Sequence, residues 1–456
     1  MNTAFITVLA FLVTVGVLVV FHELGHYAVA RLCGVKILKF SVGFGRTLWS
    51  RRYGPDQTEW VLAAIPLGGY VKMLDEREAD VAPHERDRAF NRQGVWRRIA
   101  IVIAGPVANF LLAIVLFWAL FVVGMPGDKP VLSEPAKNTP AALAGISDGD
   151  TIVAIGGDPV LTWNDVNWRV LKEAVNRNRV QVEIEGASGG RGYRTLDLTG
   201  TTSEDVDGTL LTRLGLRPYV PHSPPVLGTV LPKRSGERAG LREGDRVISV
   251  DARPVKTWVE FTALVRASPE KALRLEVERR GTRLEVTATP DAEGKGKARY
   301  GMLGVSAGEE LRREMERTRT RVSYDAFTAI PKAAYKVWDL SIFSLKLLGR
   351  MIMGDVSWKN LSGPITIADY AGQSAQAGWV TFITFLAFVS VSLGVLNLLP
   401  IPLLDGGHLV YYFAEIVKGS PVSERTMEIG QRVGLALLIG LTFFAFYNDI
   451  NRLFTG

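Results

Sequence analysis

Four apolar runs without a single charge limit what this chain can become: Asn2–Phe21, Ile99–Val123, Trp379–Leu404 and the shorter Val433–Asn448. At about 1.5 Å of rise per helical residue, roughly 20 residues cross a hydrocarbon layer about 30 Å thick. The first three runs clear that length. The fourth is marginal and needs flanking residues such as Arg432 to snorkel at the interface. Yet the 456 residues are 22% charged, so water-facing parts must alternate with the spans, and the length exceeds one compact core.

The first run has no Lys or Arg before it and meets His22 without a small-residue cleavage site. A retained span is therefore expected, not a removed signal peptide. Directly after it, Arg31 to Arg98 hold 13 Lys+Arg against 8 Asp+Glu. The positive-inside rule puts that segment in the cytoplasm and the N-terminus outside. The net charge of +7 thus belongs beside membrane spans, and no nucleic-acid partner is expected. Cys33 is the one cysteine, which excludes an intrachain disulfide and a thiolate metal cluster.

Between the first two spans (1–30 and 99–124), residues 31–98 carry strand-like pieces, Ile37–Val42 and Trp60–Ile65. Glycine-rich turns at Gly43-Phe44-Gly45 and Pro66-Leu67-Gly68-Gly69-Tyr70 should interrupt them. The stretch is too apolar for a solvated loop, so it is expected to re-enter the membrane, where non-helical backbone needs protein or a watery cavity to satisfy it. Residues 127–310 contain an internal repeat. Ala144-Gly145-Ile146, Gly149-Asp150, Pro159-Val160 and Thr162-Trp163 recur 95 positions later as Ala239-Gly240-Leu241, Gly244-Asp245, Pro254-Val255 and Thr257-Trp258. Two tandem copies, 127–220 and 221–310, follow. Their pattern resembles bacterial PDZ domains, with Leu214-Gly215-Leu216 and Leu303-Gly304-Val305 as closing strands. Such domains either add an extended peptide to a sheet edge or merely block access. In 322–378, cations at helical spacing between Trp338, Leu340, Leu345 and Leu348 read as an amphipathic helix on the membrane surface or packed on the soluble domains.

The densest chemistry is His22-Glu23-Leu24-Gly25-His26, at the end of the first span. On a helix, residues i and i+4 share a face, so both imidazoles reach one metal ion. Glu23 beside it can take a proton from water, whose pKa zinc lowers to about 7. The competing reading is a helix-end cluster at the lipid headgroups, but ionisable groups at such depth are costly. A catalytic zinc usually takes a third protein ligand. His84 lies in a charged cytoplasmic stretch, and His222 lies in the linker between the repeats, across the membrane. Asp405 and His408 remain, within the segment Asn397 to His408 that includes Pro400 and Pro402. The third span (379–417) runs inward like the first, so Asp405 reaches the depth of the histidines. An unpaired carboxylate after 26 uncharged residues would be costly, and a cation removes that cost. His408 stays open as an alternative ligand or as support for one. The two prolines loosen the helix and free backbone groups that, with Asn397, can hold an extended substrate. In the second span, Asn109 after Gly105-Pro106 either binds substrate or a ligand, or bridges helices. A fourth span covers 430–450.

These motifs, in matching order along essentially the whole chain, resemble the site-2 protease family. The resemblance implies four transmembrane helices, two tandem PDZ-like α+β domains and a membrane-reentrant β segment in a bacterial inner-membrane protein. It implies His22, His26 and Asp405 as Zn2+ ligands, Glu23 as general base, and Asn397, Pro400 and Pro402 as substrate-handling residues. The segment around Gly43, Phe44 and Gly45 resembles the family's reentrant β-loop, whose edge binds an unwound substrate strand. Implied substrates are single-pass proteins of the anti-sigma-factor kind and remnant signal peptides, with the PDZ pair as a periplasmic size filter and the active site toward the cytoplasm. Two rivals remain. A membrane-anchored PDZ adaptor would need no catalysis, and a metal transporter would need ionisable residues along several spans instead of at one depth.

Overall fold

A computed structural model describes residues 3–78, 80–176, 178–186, 189–199, 210–294, 299–354 and 363–455. The described residues divide into two units, one built from those in 3–125 and 323–455, the other from those in 126–199 and 210–322.

Among the described residues of the first unit, four helices are long and apolar enough to cross a membrane: Thr3–Leu32, Val95–Val123, Trp379–Asn397 and Glu424–Thr455. Lipid is as apolar as leucine, so these helices associate through close packing and not through expulsion of water. Small residues make that approach available. A Cβ on Gly25 of the first helix would sit 2.3 Å from the Ala104 carbonyl oxygen of the second. Gly394 of the third leaves room for the ring of Phe110, which would lie 2.8 Å from such a Cβ. Leu18, Leu112 and Leu386 close the seam between the three helices.

The run Trp379–Leu404 is not one helix. It stops at Asn397, and a new helix, Asp405–Lys418, begins after an irregular stretch. Pro400 and Pro402 lack the amide hydrogens a continuing helix needs. The fourth helix is longer than its apolar run, because charged residues at both ends extend it. Near its end, buried Asp449 accepts hydrogen bonds from the amides of Gly363 (2.9 Å), Ile365 (2.9 Å) and Thr366 (3.1 Å). This carboxylate caps the helix Pro364–Ala377 and ties two distant parts of the sequence together. Within the region expected to be amphipathic, helix Ala326–Met353 lies against the second and third spans and buries Ala329, Ala333, Val337 and Phe343. Phe327, Trp338 and Ile352 stay exposed. Residues 355–362 of that region lie outside the described residues.

Strands β1 (Ile37–Tyr53) and β2 (Thr58–Met73) run through the glycines expected to interrupt them. They bend there instead. Gly43 and Gly45 have φ values of 92° and 86°, which glycine adopts without steric cost, and the ladder shifts register nearby. The first half of β1 therefore faces both halves of β2, with Val42 opposite Gly69 and also opposite Leu62.

The second unit holds the repeat. Each copy has a four-stranded sheet of the same order. In the first it runs Asp158–Pro159, Thr151–Ile155, Arg179–Glu185, Arg191–Asp197; in the second, Arg253–Pro254, Arg246–Val250, Leu273–Arg279, Thr282–Ala288. Each also has its own apolar core and a helix beginning at the repeated tryptophan. The repeated polar residues explain themselves as turn and cap chemistry. Thr162 and Thr257 accept from the amides of Asp165 (3.2 Å) and Glu260 (3.3 Å). Asp150 and Asp245 accept from the amides of Ser147 (2.9 Å) and Arg242 (2.8 Å). The linker between the copies is fastened too, since Glu314 accepts from the hydroxyls of Tyr219 and Ser223. Burial first, and then the Glu314 carboxylate, push the Tyr219 phenol up to about 12.

The copies differ at one aspartate. The Asp245 side chain, 0% exposed, also accepts from Arg279 Nε (2.7 Å) and Nη2 (2.8 Å), whereas Asp150 has no ion pair among the described residues. Burial alone would raise the Asp245 carboxyl, but the Arg279 bond and the Arg242 amide outweigh it and hold it below 3.8. Asp245→Ala should therefore destabilise its copy by about 3 kcal/mol, the low end for breaking a buried pair, because Arg279 keeps some hydration. Asp150→Ala should cost about 1 kcal/mol. Thermal unfolding of the two variants checks this. Because the folded value is depressed, the Asp245 contribution is complete above the unfolded value and is lost as pH falls through the folded one. The gap between the variants should shrink below about pH 4.

Candidate metal centre

Three side chains from two distant parts of the sequence converge where the first helix, the second helix and the Leu398–Asp405 break meet. His22 and His26, one turn apart, bring their Nε2 atoms within 3.2 Å of each other. Asp405 Oδ2 lies 3.2 Å from His22 Nε2, and Oδ1 lies 3.5 Å from His26 Nε2. One ligand atom from each residue falls within 4.8 Å of the others. An ion about 2 Å from three donors at tetrahedral angles separates those donors by about 3.3 Å. The imidazole–imidazole spacing matches that figure, and each imidazole has one oxygen of the Asp405 carboxylate at a similar distance.

Proton bookkeeping supports the same conclusion. His26 Nδ1 donates to the Ile101 carbonyl at 2.8 Å, so the neutral ring presents a bare lone pair at Nε2. Asp405 Oδ2 is buried and accepts no hydrogen bond, its closeness to His22 notwithstanding. Lone pairs that face one another without a proton between them suit a cation, and two imidazoles with a carboxylate suit zinc.

The backbone around the triad is shaped to make room. A Cβ on Gly105, one turn from Ile101 in the second helix, would stand 2.3 Å from His26 Nε2 and 2.8 Å from His22 Cε1. Gly406 and Gly407 let the helix after Asp405 start beneath the loop, where Cβ atoms would lie 2.2 Å from the Leu399 oxygen and 2.5 Å from the Ile401 oxygen. Leu403 takes a φ of 86°, a conformation costly for a side chain that the tight loop imposes. Pro402 packs against the fourth helix at Gly434, where a Cβ would be 2.2 Å from the Pro402 oxygen. Pro400 lies exposed in the same loop.

Glu23 points along a different wall. Gly69 of β2 leaves no space for a side chain beside it, a Cβ there being 3.1 Å from Glu23 Cγ, and Val71 lines the same cavity as Glu23. A cavity of about 740 Å³ opens from Glu23, His26 and Asp405 past Val71, Lys72 and Met73 to Arg77, Glu415 and Glu424. Its charged lining keeps it wet. His408 lines this cavity but is not one of the three converging groups. Asn109, fully buried, and Asn397, half-buried, approach the far side of His22, with Nδ2 atoms 3.2 and 3.5 Å from Nδ1.

Gly43, Phe44 and Gly45 occupy the bend of β1, where Phe44 stacks on Tyr70 at 6.2 Å. The residues against Glu23 are Gly69 and Val71 instead. Sequence reasoning passed over those two, along with the Ile101 carbonyl, Gly406 and Gly407. A main-chain carbonyl leaves no mark in a sequence, but a glycine pair next to a strand does hint at close approach.

Gly105 yields a direct test. Gly105→Val places carbon where the histidines converge, so the purified protein should keep its helical circular dichroism yet carry substoichiometric zinc. Full zinc loading by that variant would show that the ion binds elsewhere.

Comparison with known proteins gives the chain a family. Residues 10–441 match the profile of Peptidase family M50. The Regulator of sigma-E protease RseP of Escherichia coli is 43% identical over 446 residues, covering 97% of this chain and 98% of that protein. A putative zinc metalloprotease of Ralstonia nicotianae is 43% identical over 467 residues, covering 98% and 99%. Protease RseP of Yersinia pestis is 41% identical, covering 97% and 98%. With a family match and relatives that both span nearly its full length, this chain belongs to peptidase family M50, the site-2 proteases.

Proposed function

We propose that this chain is a zinc-dependent intramembrane endopeptidase of the sigma-E pathway, which cuts single-pass membrane proteins within or beside their spanning segments. One observation carries the reading: His22, His26 and Asp405 converge, with Glu23 beside them, on helices otherwise fit for lipid. His22, His26 and Asp405 hold the zinc. When bound, it supplies Lewis-acid chemistry, polarising a carbonyl and acidifying water to a pKa near 7. Glu23 takes a proton from the attacking water, which reaches it through the charged cavity, and passes one to the leaving amine.

A substrate helix hides its carbonyls in its own hydrogen bonds and must unwind before it can be cut. The end of β2, Gly69–Met73, offers the unwound strand an edge beside Glu23, as in other strand-addition modes. Phe44, between Gly43 and Gly45, supports that edge by stacking on Tyr70. Across the site, the Asn397 amide and the carbonyls around Pro400 and Pro402 hold the other side of the substrate backbone. The β1–β2 segment is the membrane-reentrant element, and its exposed Leu48, Trp49 and Tyr53 suit contact with lipid. So does the outer face of helix Ala326–Met353, where Trp338 is 64% exposed.

The positive charge after the first span puts the catalytic end toward the cytoplasm of a bacterial inner membrane and the repeat in the periplasm. The two copies are PDZ-like domains that restrict access by size or take peptide ligands. Substrates of this site are anti-sigma-factor-like proteins and remnant signal peptides, both single-pass once trimmed.

Glu23→Gln, His22→Ala and Asp405→Ala, purified and given a single-pass substrate, test the reading. Glu23→Gln should retain zinc while its cleavage rate falls about 10²- to 10⁴-fold. The other two should lose zinc and activity together. Undiminished cleavage by Glu23→Gln would end the proposal, because the proton would then be taken by some other group.

A further inference from the structure

We infer that Asn109 is the positioning residue that locks His22 in its metal-binding tautomer, its amide turned with Oδ1, not Nδ2, toward His22 Nδ1. The inference rests on the zinc-centre reading. His22 Nε2 faces both His26 Nε2 and Asp405, each 3.2 Å away, so Nε2 is its ligand atom and carries a lone pair. A neutral imidazole has one proton, which must then sit on Nδ1. That N–H needs an acceptor.

Two side chains stand near it, Asn109 at 3.2 Å and Asn397 at 3.5 Å. With the Asn109 amino group facing Nδ1, two donors would confront each other, while the Asn109 Oδ1 is buried without a partner. Oxygen and nitrogen of a side-chain amide fill the same envelope, so a half-turn costs nothing in packing. It replaces the donor–donor contact with an N–H···O bond and leaves only the amino group to be satisfied. Asn109 is 0% exposed, and its own carbonyl is held by the Ser390 hydroxyl at 2.7 Å, so its place is fixed from the third helix as well. The two imidazoles then match: Nδ1–H of His26 goes to a main-chain carbonyl in the second helix, and Nδ1–H of His22 goes to a side-chain carbonyl in that helix. Such outer contacts set ring orientation and raise ligand basicity. Asn397, farther away and half-buried, is left to bind substrate. The two asparagines do different work.

The test uses the full chain in detergent, with zinc affinity measured by chelator competition and the visible spectrum of the cobalt-substituted protein as a reading of ligand geometry. Asn109→Leu, which removes the acceptor, should weaken zinc binding about 10- to 100-fold and alter the cobalt bands. Asn109→Asp, which keeps an acceptor, should bind zinc within a few-fold of the unsubstituted chain, with the original spectrum. Asn397→Leu should leave both readouts unchanged while raising KM. Unaltered zinc affinity in a folded Asn109→Leu would reduce Asn109 to an interhelical strut and overturn the inference. Should the leucine variant not fold, Asn109→Asp decides, since a loss of 10-fold or more there means that the amide faces His22 as a donor. Failure of the unsubstituted chain to take up zinc would sink the metal-centre reading itself.

Discussion

A polar group inside a membrane needs a partner, and the architecture of the first unit follows from meeting that need at one place. Two imidazoles, two carboxylates and two amides stand on or beside helices that are apolar over most of their length. Exposed to lipid, each would cost several kcal/mol by most scales. Three of them, His22, His26 and Asp405, lie close enough to share a cation. The geometry that gathers them depends on absent side chains: Gly25 lets the first two helices touch, Gly105 leaves room for the two imidazoles, and Gly406 and Gly407 let Asp405 start a helix directly below a tight loop. The helix break at Pro400 and Pro402 is part of the same solution, because a continuous helix would offer no strained loop and no free carbonyls.

Proteolysis in lipid also requires water and an unwound substrate, and one element serves both needs. The β1–β2 segment brings the edge of β2 to Glu23 and forms a wall of the charged cavity that leads away from the centre. Strand edge, Glu23 and charged cavity thus share a boundary. The soluble repeat is organised separately. Its two copies use the same caps and turns, but only the second buries an arginine–aspartate pair at the shared Gly-Asp position, and Glu314 stiffens the linker joining them.

Much of this was legible in the sequence, for physical reasons. Spans announce themselves by uncharged length, and a histidine pair at i and i+4 on a helix leaves few alternatives. Gapless recurrence at 95 residues marks a duplicated unit. Other features were hidden. The glycines between Ile37 and Tyr70 read as turns, whereas they are bends within two long strands, because positive φ serves both purposes. Asp449 caps a helix some eighty residues earlier, and no local pattern encodes that pairing. The acceptor for His26 is a main-chain carbonyl, which any residue at that position would supply.

Zinc-edge X-ray absorption of the purified chain tests the central claim most directly. The account predicts a first shell of light atoms only, at about 2.0–2.2 Å, with the multiple scattering of two imidazole rings and a carboxylate oxygen. A shell without imidazole scattering, or one containing the sulfur of Cys33, would contradict it.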